Sequence, residues 1–201
     1  MIDNIYVFDN IIDIDLQNTI EKYVQENPNL FTDGNNVEWM GTDMILPQGV
    51  LISTKIFSSI QEIIKSIEIK SISKIGKEIL HTYRYKINQL KVSDKISDEF
   101  DINGMHIDRE QEHISIVYYV NDTDGDTHIY DTDLTPLSGW NYIVRDKKFE
   151  HFTLNKRISP KKGRVVIFNG LLPHHSSYPT LNDRYVINFN TVIKSESKSL
   201  F

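Results

Sequence analysis

The spacing of apolar residues changes character near residue 80. Before that point, apolar side chains recur at steps of three and four, which is the pattern of a helix with one buried face. A first helix is predicted from a cap at Asp15 to an end near Asn27-Pro28. A second is predicted over about residues 55–80, with a bend or break in the Ser/Lys/Ile-rich run at 68–76. Its apolar face comprises Ile56, Ile60, Ile63, Ile64 and Ile67.

Beyond residue 80, short runs of β-branched and aromatic residues alternate with turn residues such as Asp124-Gly125. Many short strands at this spacing are typical of an all-β sandwich or barrel. We therefore expect one domain over residues 1–201, mainly β with flanking helices. In it, residues 1–80 form mainly helical support, and residues 81–193 form a double-stranded β-helix (jelly-roll) core. The predicted strands cover residues 81–92, 113–121, 127–131, 140–146, 164–170 and 184–193.

Composition and charge exclude several classes of protein. The 201 residues include no cysteine, which excludes disulfides, thiolate nucleophiles and cysteine-ligated metal sites. A net charge of −6, with acids and bases well mixed, gives no broad electrostatic reason to bind nucleic acid or a membrane. The N-terminus lacks the features of a signal peptide, and no apolar run approaches the roughly 20 residues of a membrane span. We expect a cytoplasmic protein, and the sequence leaves its oligomeric state open.

Two short segments carry candidate metal ligands. His106 and Asp108 are two residues apart, so on a strand they project from the same face. The segment 172–179 adds His174 and His175, and either one completes a set of two histidines and one carboxylate. That set binds Fe(II) on one side and leaves three positions open. A 2-oxo acid can take two of them and dioxygen the third, and oxidative decarboxylation then gives an oxidant able to attack a C–H bond.

A third segment carries a candidate anion-binding group. Arg184 opens the strongly β-forming run 184–193, nine residues after His175. A guanidinium that faces the interior needs an anionic partner, because an unpaired buried charge is costly. The distal carboxylate of 2-oxoglutarate is such a partner and matches the two-pronged geometry of arginine.

Taken in order, these segments resemble the prolyl-4-hydroxylase-like branch of the Fe(II)/2-oxoglutarate-dependent dioxygenases. The resemblance covers about residues 80–193 and includes the Pro-x-x-Gly-x-x-x-x-Phe pattern at 160–168. It implies an enzyme that uses Fe(II), 2-oxoglutarate and dioxygen, with ascorbate as a supporting reductant. The implied reaction is hydroxylation of a C–H bond of a peptidyl proline, so the expected partner is a peptide or protein substrate.

The resemblance also implies roles for individual residues. His106, Asp108 and His175 become the iron ligands; His175 is preferred to His174 because in the family a proline follows the histidine four residues later, as Pro179 does here. Arg184 becomes the anchor of 2-oxoglutarate.

Three further residues are expected around the co-substrate. Tyr83 or Tyr85 matches family tyrosines that hydrogen-bond its carboxylate, and Thr127 matches a lining position. The sequence departs from the family at Val186, where many relatives have a serine that holds the same carboxylate.

Two alternatives remain open. The same chemistry could act on a free amino acid, another small molecule or a nucleobase. The chain could also be a non-catalytic jelly-roll binding module. Trp140 is interpreted as part of the substrate mouth, and Asp122-x-Asp124-x-Asp126 as a hairpin turn and not a calcium loop. The remaining histidines are interpreted as packing or surface residues: His81, His113, His128 and His151.

Overall fold

The computed structural model describes residues 2–27, 37–40, 43–45, 54–93, 105–132 and 151–194. The strand predicted at 140–146 and Trp140 lie outside these residues. Within them the chain forms two helices and ten strands. In chain order the elements are β1 (Tyr6–Phe8), α1 (Ile14–Glu26), β2 (Val37–Met40), β3 (Asp43–Ile45), α2 (Thr54–Lys74), β4 (Ile79–Leu90), β5 (Ile114–Tyr119), β6 (Thr127–Thr132), β7 (Phe152–Ile158), β8 (Val165–Asn169), β9 (His174–Ser176) and β10 (Arg184–Ile193).

The strands form two antiparallel sheets. The larger sheet has seven strands in the order β1-β8-β5-β10-β4-β2-β3, and the smaller has three in the order β7-β6-β9. Strand β10 lies at the centre of the larger sheet and pairs with β4 on one side and β5 on the other. The chain passes from one sheet to the other between β5 and β6 and again at each step from β7 to β10, so the architecture is a double sheet of the jelly-roll type.

Side-chain alternation divides the larger sheet into two faces. On β5, Ile116 and Tyr118 pack in a large apolar cluster with residues of both helices. Val117 and Tyr119 point the other way and pack against Ile129 of the smaller sheet. The inner face, between the sheets, therefore differs from the outer face, which the helices cover.

A glycine cap explains where the long helix ends. α2 runs to Lys74, and Gly76 follows with a φ of 67°. The amide N–H groups of Gly76 and Lys77 donate to the carbonyls of Ser73 and Ile72. This is the Schellman arrangement, which favours glycine because of its left-handed backbone. The Ser/Lys/Ile-rich segment 68–76 therefore does not break the helix, which continues to Lys74 and ends at the glycine that closes this segment.

The mainly β fold with two helices confirms the expected fold class. Residues 1–80 also contribute β1, β2 and β3, which the helical pattern did not predict. α1 begins at Ile14, after the N-cap Asp13, so Asp15 lies in the first turn and not at the cap. Among the described helices, none is long and apolar enough to cross a membrane.

Candidate active site

A two-residue bridge brings together segments that are remote along the chain. The N–H of His106 donates to the carbonyl of His174 at 3.0 Å, and the N–H of His174 donates back at 2.9 Å. The two imidazole rings consequently lie with their centroids 4.6 Å apart. Asp108 follows two residues after His106 and projects to the same side.

These three residues form a group with the geometry of a metal site. One ligand atom each of His106, Asp108 and His174 lies within 4.8 Å of the others, and the described residues contain no second such group. Asp108 Oδ1 lies 3.8 Å from His106 Nε2, and Asp108 Oδ2 lies 3.8 Å from His174 Nε2. The His106 side chain is 31% exposed whereas those of Asp108 and His174 are buried, so the group opens to solvent on the His106 side.

Three donors fix the carboxylate of Asp108. Arg84 Nη2 donates to Oδ1 at 2.8 Å, while Ser115 Oγ and Asn190 Nδ2 donate to Oδ2 at 3.0 Å and 2.8 Å. Burial raises the pKa of Asp108, but His174, Arg84 and His106 outweigh burial and hold that pKa well below its usual range. The carboxylate is therefore ionised and held in one orientation, as a metal ligand requires.

His174 is held as a neutral imidazole. Its Nδ1 lies 3.0 Å from the carbonyl oxygen of Leu172. A carbonyl can only accept, so Nδ1 carries the proton and Nε2 presents a lone pair toward Asp108. Burial, with a smaller effect of His106, lowers the pKa of His174 to about 4.

The structure corrects the prediction that His175 is the third ligand. Neighbouring residues of a strand point to opposite faces, so only one of the two histidines can face His106. His175 points away: its ring stacks on His128 with centroids 4.7 Å apart, and its Nε2 lies 2.9 Å from the hydroxyl of Tyr130. His174 occupies the place that the sequence analysis gave to His175.

Arg184 is buried at the inner face, as predicted. The residue is only 4% exposed, and its Nη2 donates to Thr127 Oγ1 at 2.8 Å. Tyr119 donates its hydroxyl to the same Thr127 oxygen at 2.7 Å. Within the described residues Arg184 has no carboxylate at ion-pair distance, and its Nε has no hydrogen-bond partner. Burial lowers the pKa of Arg184.

The surroundings of Arg184 fit an anionic co-substrate. A buried guanidinium with an orphaned Nε is stabilised by a carboxylate that accepts from it. On the inner face between Arg184 and the metal group, the side-chain oxygens of Asn88 and Asn188 also have no partner. This polar strip, with Thr127 at one end and Asp108 at the other, suits a small dicarboxylate that reaches from the arginine to the metal.

The structure does not place either predicted tyrosine beside Arg184. Tyr85 points to the helix-covered face and donates its hydroxyl to Glu68 Oε2 at 2.6 Å. The guanidinium carbon of Arg109 lies over the ring of Tyr83, 3.8 Å from the centroid of that ring. The strand partner of Arg184 on β4 is Leu90, seven residues from Tyr83 and so about 23 Å away along the strand. The expectation for Tyr85 is therefore wrong in this fold, and Tyr83 does not lie beside Arg184.

Four contributors were missed by the sequence analysis: Arg84, Ser115, Tyr119 and Asn190. Asn190 lies on the face of β10 that begins with Arg184, so period-two alternation alone could have indicated it. Ser115 and Tyr119 share the inner face of β5, and their pairing with β10 was needed to show this. Arg84 faces inward, whereas its neighbour Tyr85 on β4 faces the helices.

The family follows from the sequence match. The model of the 2OG-Fe(II) oxygenase superfamily matches residues 90–192. The chain belongs to this superfamily. Members of the family use Fe(II), 2-oxoglutarate and dioxygen, and the chain is an enzyme of this class. None of the curated proteins matches the sequence significantly.

Solved structures of oxygenases share the fold at low sequence identity. A prolyl-4-hydroxylase from Pseudomonas putida is 10% identical with a TM-score of 0.54, over 95% of this chain and 93% of that one. A 2OG-Fe(II) oxygenase family oxidoreductase from Burkholderia pseudomallei is 13% identical with a TM-score of 0.56, over 93% and 83%. HygX from Streptomyces hygroscopicus, with iron bound, is 11% identical with a TM-score of 0.54, over 93% and 81%. These likenesses establish the shared jelly-roll core.

Proposed function

We propose that this enzyme hydroxylates a C–H bond of a peptidyl proline, with Fe(II) held by His106, Asp108 and His174. Arg184 anchors the distal carboxylate of 2-oxoglutarate. The observation that carries this proposal is the group of two imidazoles and one carboxylate whose ligand atoms lie within 4.8 Å of one another. It lies on the same inner face as a buried guanidinium that has no carboxylate partner among the described residues.

The donor set fits Fe(II). Two imidazoles and one carboxylate, all supplied from one side, leave positions for a bidentate 2-oxo acid and for dioxygen. When bound, the iron supplies the redox chemistry that couples decarboxylation of 2-oxoglutarate to succinate with insertion of one oxygen atom into a C–H bond.

The side chains of the protein orient the metal ligand Asp108 and the co-substrate anchor Arg184, neutralise charge and exclude water. Arg84, Ser115 and Asn190 hold Asp108 in place, so the ligand need not reorganise when the metal binds. Thr127 fixes one nitrogen of Arg184 and leaves Nε for the co-substrate carboxylate. Val117, Val166 and Val186 make the adjoining inner face apolar, which strengthens the ionic contacts nearby.

The assignment of peptidyl proline rests on the resemblance of the motifs and on the fold shared with the Pseudomonas putida prolyl-4-hydroxylase. The His106 side of the metal group is the open side, which gives a substrate residue access to it. A proline ring is compact and uncharged, so it can approach the metal without a further charged contact of its own.

The proposal is tested first by turnover without a prime substrate. The purified chain with Fe(II), ascorbate, oxygen and 2-oxoglutarate should release succinate slowly, and Asp108→Ala should abolish this release while the thermal unfolding stays cooperative. His174→Ala should also abolish it, whereas His175→Ala, a matched change at the next residue, should retain metal binding. Loss of iron binding in His175→Ala but not in His174→Ala would show that the ligand assignment is wrong.

The substrate is tested by mass spectrometry. Proline-containing peptides incubated with the active enzyme should gain 16 daltons, about one oxygen atom, on the proline. Succinate formation that no peptide of a broad library accelerates, together with no such gain in mass, would contradict the peptidyl-proline assignment and favour a small-molecule substrate.

A further inference from the structure

The buried Glu68 joins the long helix to the two strands that hold the metal ligand. It lies on α2, at the helix-covered face of the larger sheet, and is only 2% exposed. Its Oε1 accepts hydrogen bonds from the hydroxyls of Thr82 on β4 and Thr191 on β10, and its Oε2 accepts one at 2.6 Å from Tyr85 on β4. One carboxyl group therefore fastens β4 and β10 to each other as well as to the helix.

The pairing of β4 with β10 is irregular at the same point. Asn190 of β10 pairs with Arg84 of β4. The next residue of β10, Thr191, pairs with Thr82, two residues away from Arg84 on β4. A strand that places one extra residue opposite its partner forms a β-bulge, and here that residue is Tyr83. Because a bulge interrupts the alternation of side chains, the contacts that hold it decide which side chains of β4 face inward.

Glu68 holds this bulge from the helix side. Thr82 and Tyr85 are three residues apart, and on a regular strand two such residues face opposite sides of the sheet. Both nevertheless donate to Glu68, because the extra residue between them reverses the alternation of β4. A strand without the bulge would bring only one of these two hydroxyls to the carboxyl group. The hydrogen bonds to Glu68 therefore favour the bulged pairing.

The other side of the same bulge holds the metal ligand. Arg84 and Asn190, the last regular pair before the bulge, donate to the two oxygens of Asp108 at 2.8 Å each. The extra residue, Tyr83, contacts the guanidinium of Arg109, which directly follows Asp108 in the chain. Consecutive residues of β4 thus contact consecutive residues of the segment that carries the metal ligand, and a shift of β4 by one residue would separate both pairs.

We infer that Glu68 is a positioning residue for the metal site, because it fixes the bulge between β4 and β10 and so holds two of the donors that orient Asp108. These donors are Arg84 and Asn190. The inference rests on the proposed function for the identity of the metal ligands. Loss of the partners that orient a metal ligand lowers metal affinity by roughly 10- to 100-fold. The helix α2, which carries no metal ligand, therefore supports metal binding from the opposite face of the sheet.

The test compares the Mn(II) affinity of variants of α2, measured by calorimetry on the full chain without 2-oxoglutarate. Glu68→Met keeps the length of the side chain and removes every acceptor, so the bulge loses its support from the helix and Mn(II) should bind about tenfold more weakly. Glu68→Gln retains an oxygen that can accept from both threonines, so its Mn(II) affinity should stay close to that of the wild type.

A matched control separates this effect from general destabilisation. Ile64 is fully buried one turn earlier on α2 and packs in the same apolar cluster as Tyr85. Ile64→Ala removes apolar contacts and leaves the hydrogen bonds of Glu68 in place, so it should lower the free energy of unfolding without changing the Mn(II) affinity. Thermal unfolding is measured on every variant, so that affinities are compared between folded proteins.

Three results would overturn the inference. Wild-type Mn(II) affinity in Glu68→Met would show that the bulge does not depend on Glu68. An equal loss of affinity in Glu68→Met and Ile64→Ala would assign the effect to stability alone. A loss in Glu68→Gln as large as in Glu68→Met would show that the acceptor oxygen is not what holds the strands.

A second variant keeps the test open where Glu68→Met does not fold. The double variant Thr82→Val with Thr191→Val removes two of the hydrogen bonds and leaves Glu68 itself unchanged. Mn(II) binding weaker than that of Ile64→Ala supports the inference, and binding equal to it overturns the inference. Failure of the wild-type chain to bind Mn(II) contradicts the proposed function, whereas wild-type binding that no variant weakens overturns only the role of Glu68.

Discussion

Removal of the Asn190 side-chain amide should weaken metal binding without removing a ligand. Asn190 is fully buried and donates to Asp108 Oδ2 at 2.8 Å. A hydrogen bond to a charged group contributes about 1.5–3 kcal/mol, which corresponds to a change of roughly 10- to 100-fold in affinity. Because Ser115 and Arg84 still hold the carboxylate in Asn190→Ala, we expect the lower end, about a tenfold loss of Mn(II) affinity.

The control for this prediction lies two residues away on the same strand face. Asn188→Ala removes a side chain of the same size and chemistry from the inner face of β10, and no hydrogen bond joins Asn188 to Asp108. Mn(II) binding, measured by calorimetry or electron paramagnetic resonance without 2-oxoglutarate, should be unchanged in this variant. Equal Mn(II) affinity of Asn190→Ala and wild type, or an equal loss in both variants, would refute the idea that the hydrogen bonds to Asp108 raise the metal affinity.

Three further predictions concern buried polar groups. Burial lowers the pKa of His128 to about 4, whereas in the unfolded chain it is near 6.5; stability should therefore fall by about 3 kcal/mol as the pH drops from 6.5 to 4, and urea denaturation of His128→Phe should show a shallower fall. The buried Glu68 accepts hydroxyl hydrogen bonds from two threonines and a tyrosine, so Glu68→Ala should lower the free energy of unfolding by about 3 kcal/mol and Glu68→Gln by less. Tyr119→Phe removes the hydroxyl that fixes Thr127 against Arg184, and calorimetry should show a several-fold weaker binding of 2-oxoglutarate with unchanged Mn(II) affinity.

The sequence could predict which residues of a strand share a face, but not always which of its two faces points inward. For Arg184, the chemistry of the residue sufficed to predict its burial at the inner face, since a charged side chain that opens an apolar strand needs a partner. Only the resemblance to the family indicated a place near the co-substrate for Thr127. On β4, the same alternation that put Tyr83 and Tyr85 together left open whether they or Arg84 face inward. The answer depends on how β4 pairs with β10, where the register shifts between Asn190 and Thr191.

The choice between His174 and His175 could not be made from spacing for a related reason. Strand β9 has three residues, too few for alternation to reveal its buried face. Both histidines are buried, one against His106 and one against His128, so hydrophobicity does not separate them either. A slip of one residue exchanges the two rings, and only the bridge from His174 to His106 fixes the register.

Strand β10 links the two binding functions of the site. Its inner face begins with Arg184 at the co-substrate end and continues through Val186 and Asn188 to Asn190, which holds Asp108. Six residues at about 3.3 Å each place the two ends of this face about 20 Å apart, a gap that the long arginine side chain and the bound co-substrate must bridge.

A side-chain substitution on this face removes one function at a time. A shift of β10 by one residue would instead turn Arg184 and Asn190 outward together, because both belong to the same period-two set. The pairing of β10 with β4 and β5 on both sides therefore protects metal binding and co-substrate binding at once, and it explains why the site is built on the central strand of the larger sheet and not at its edge.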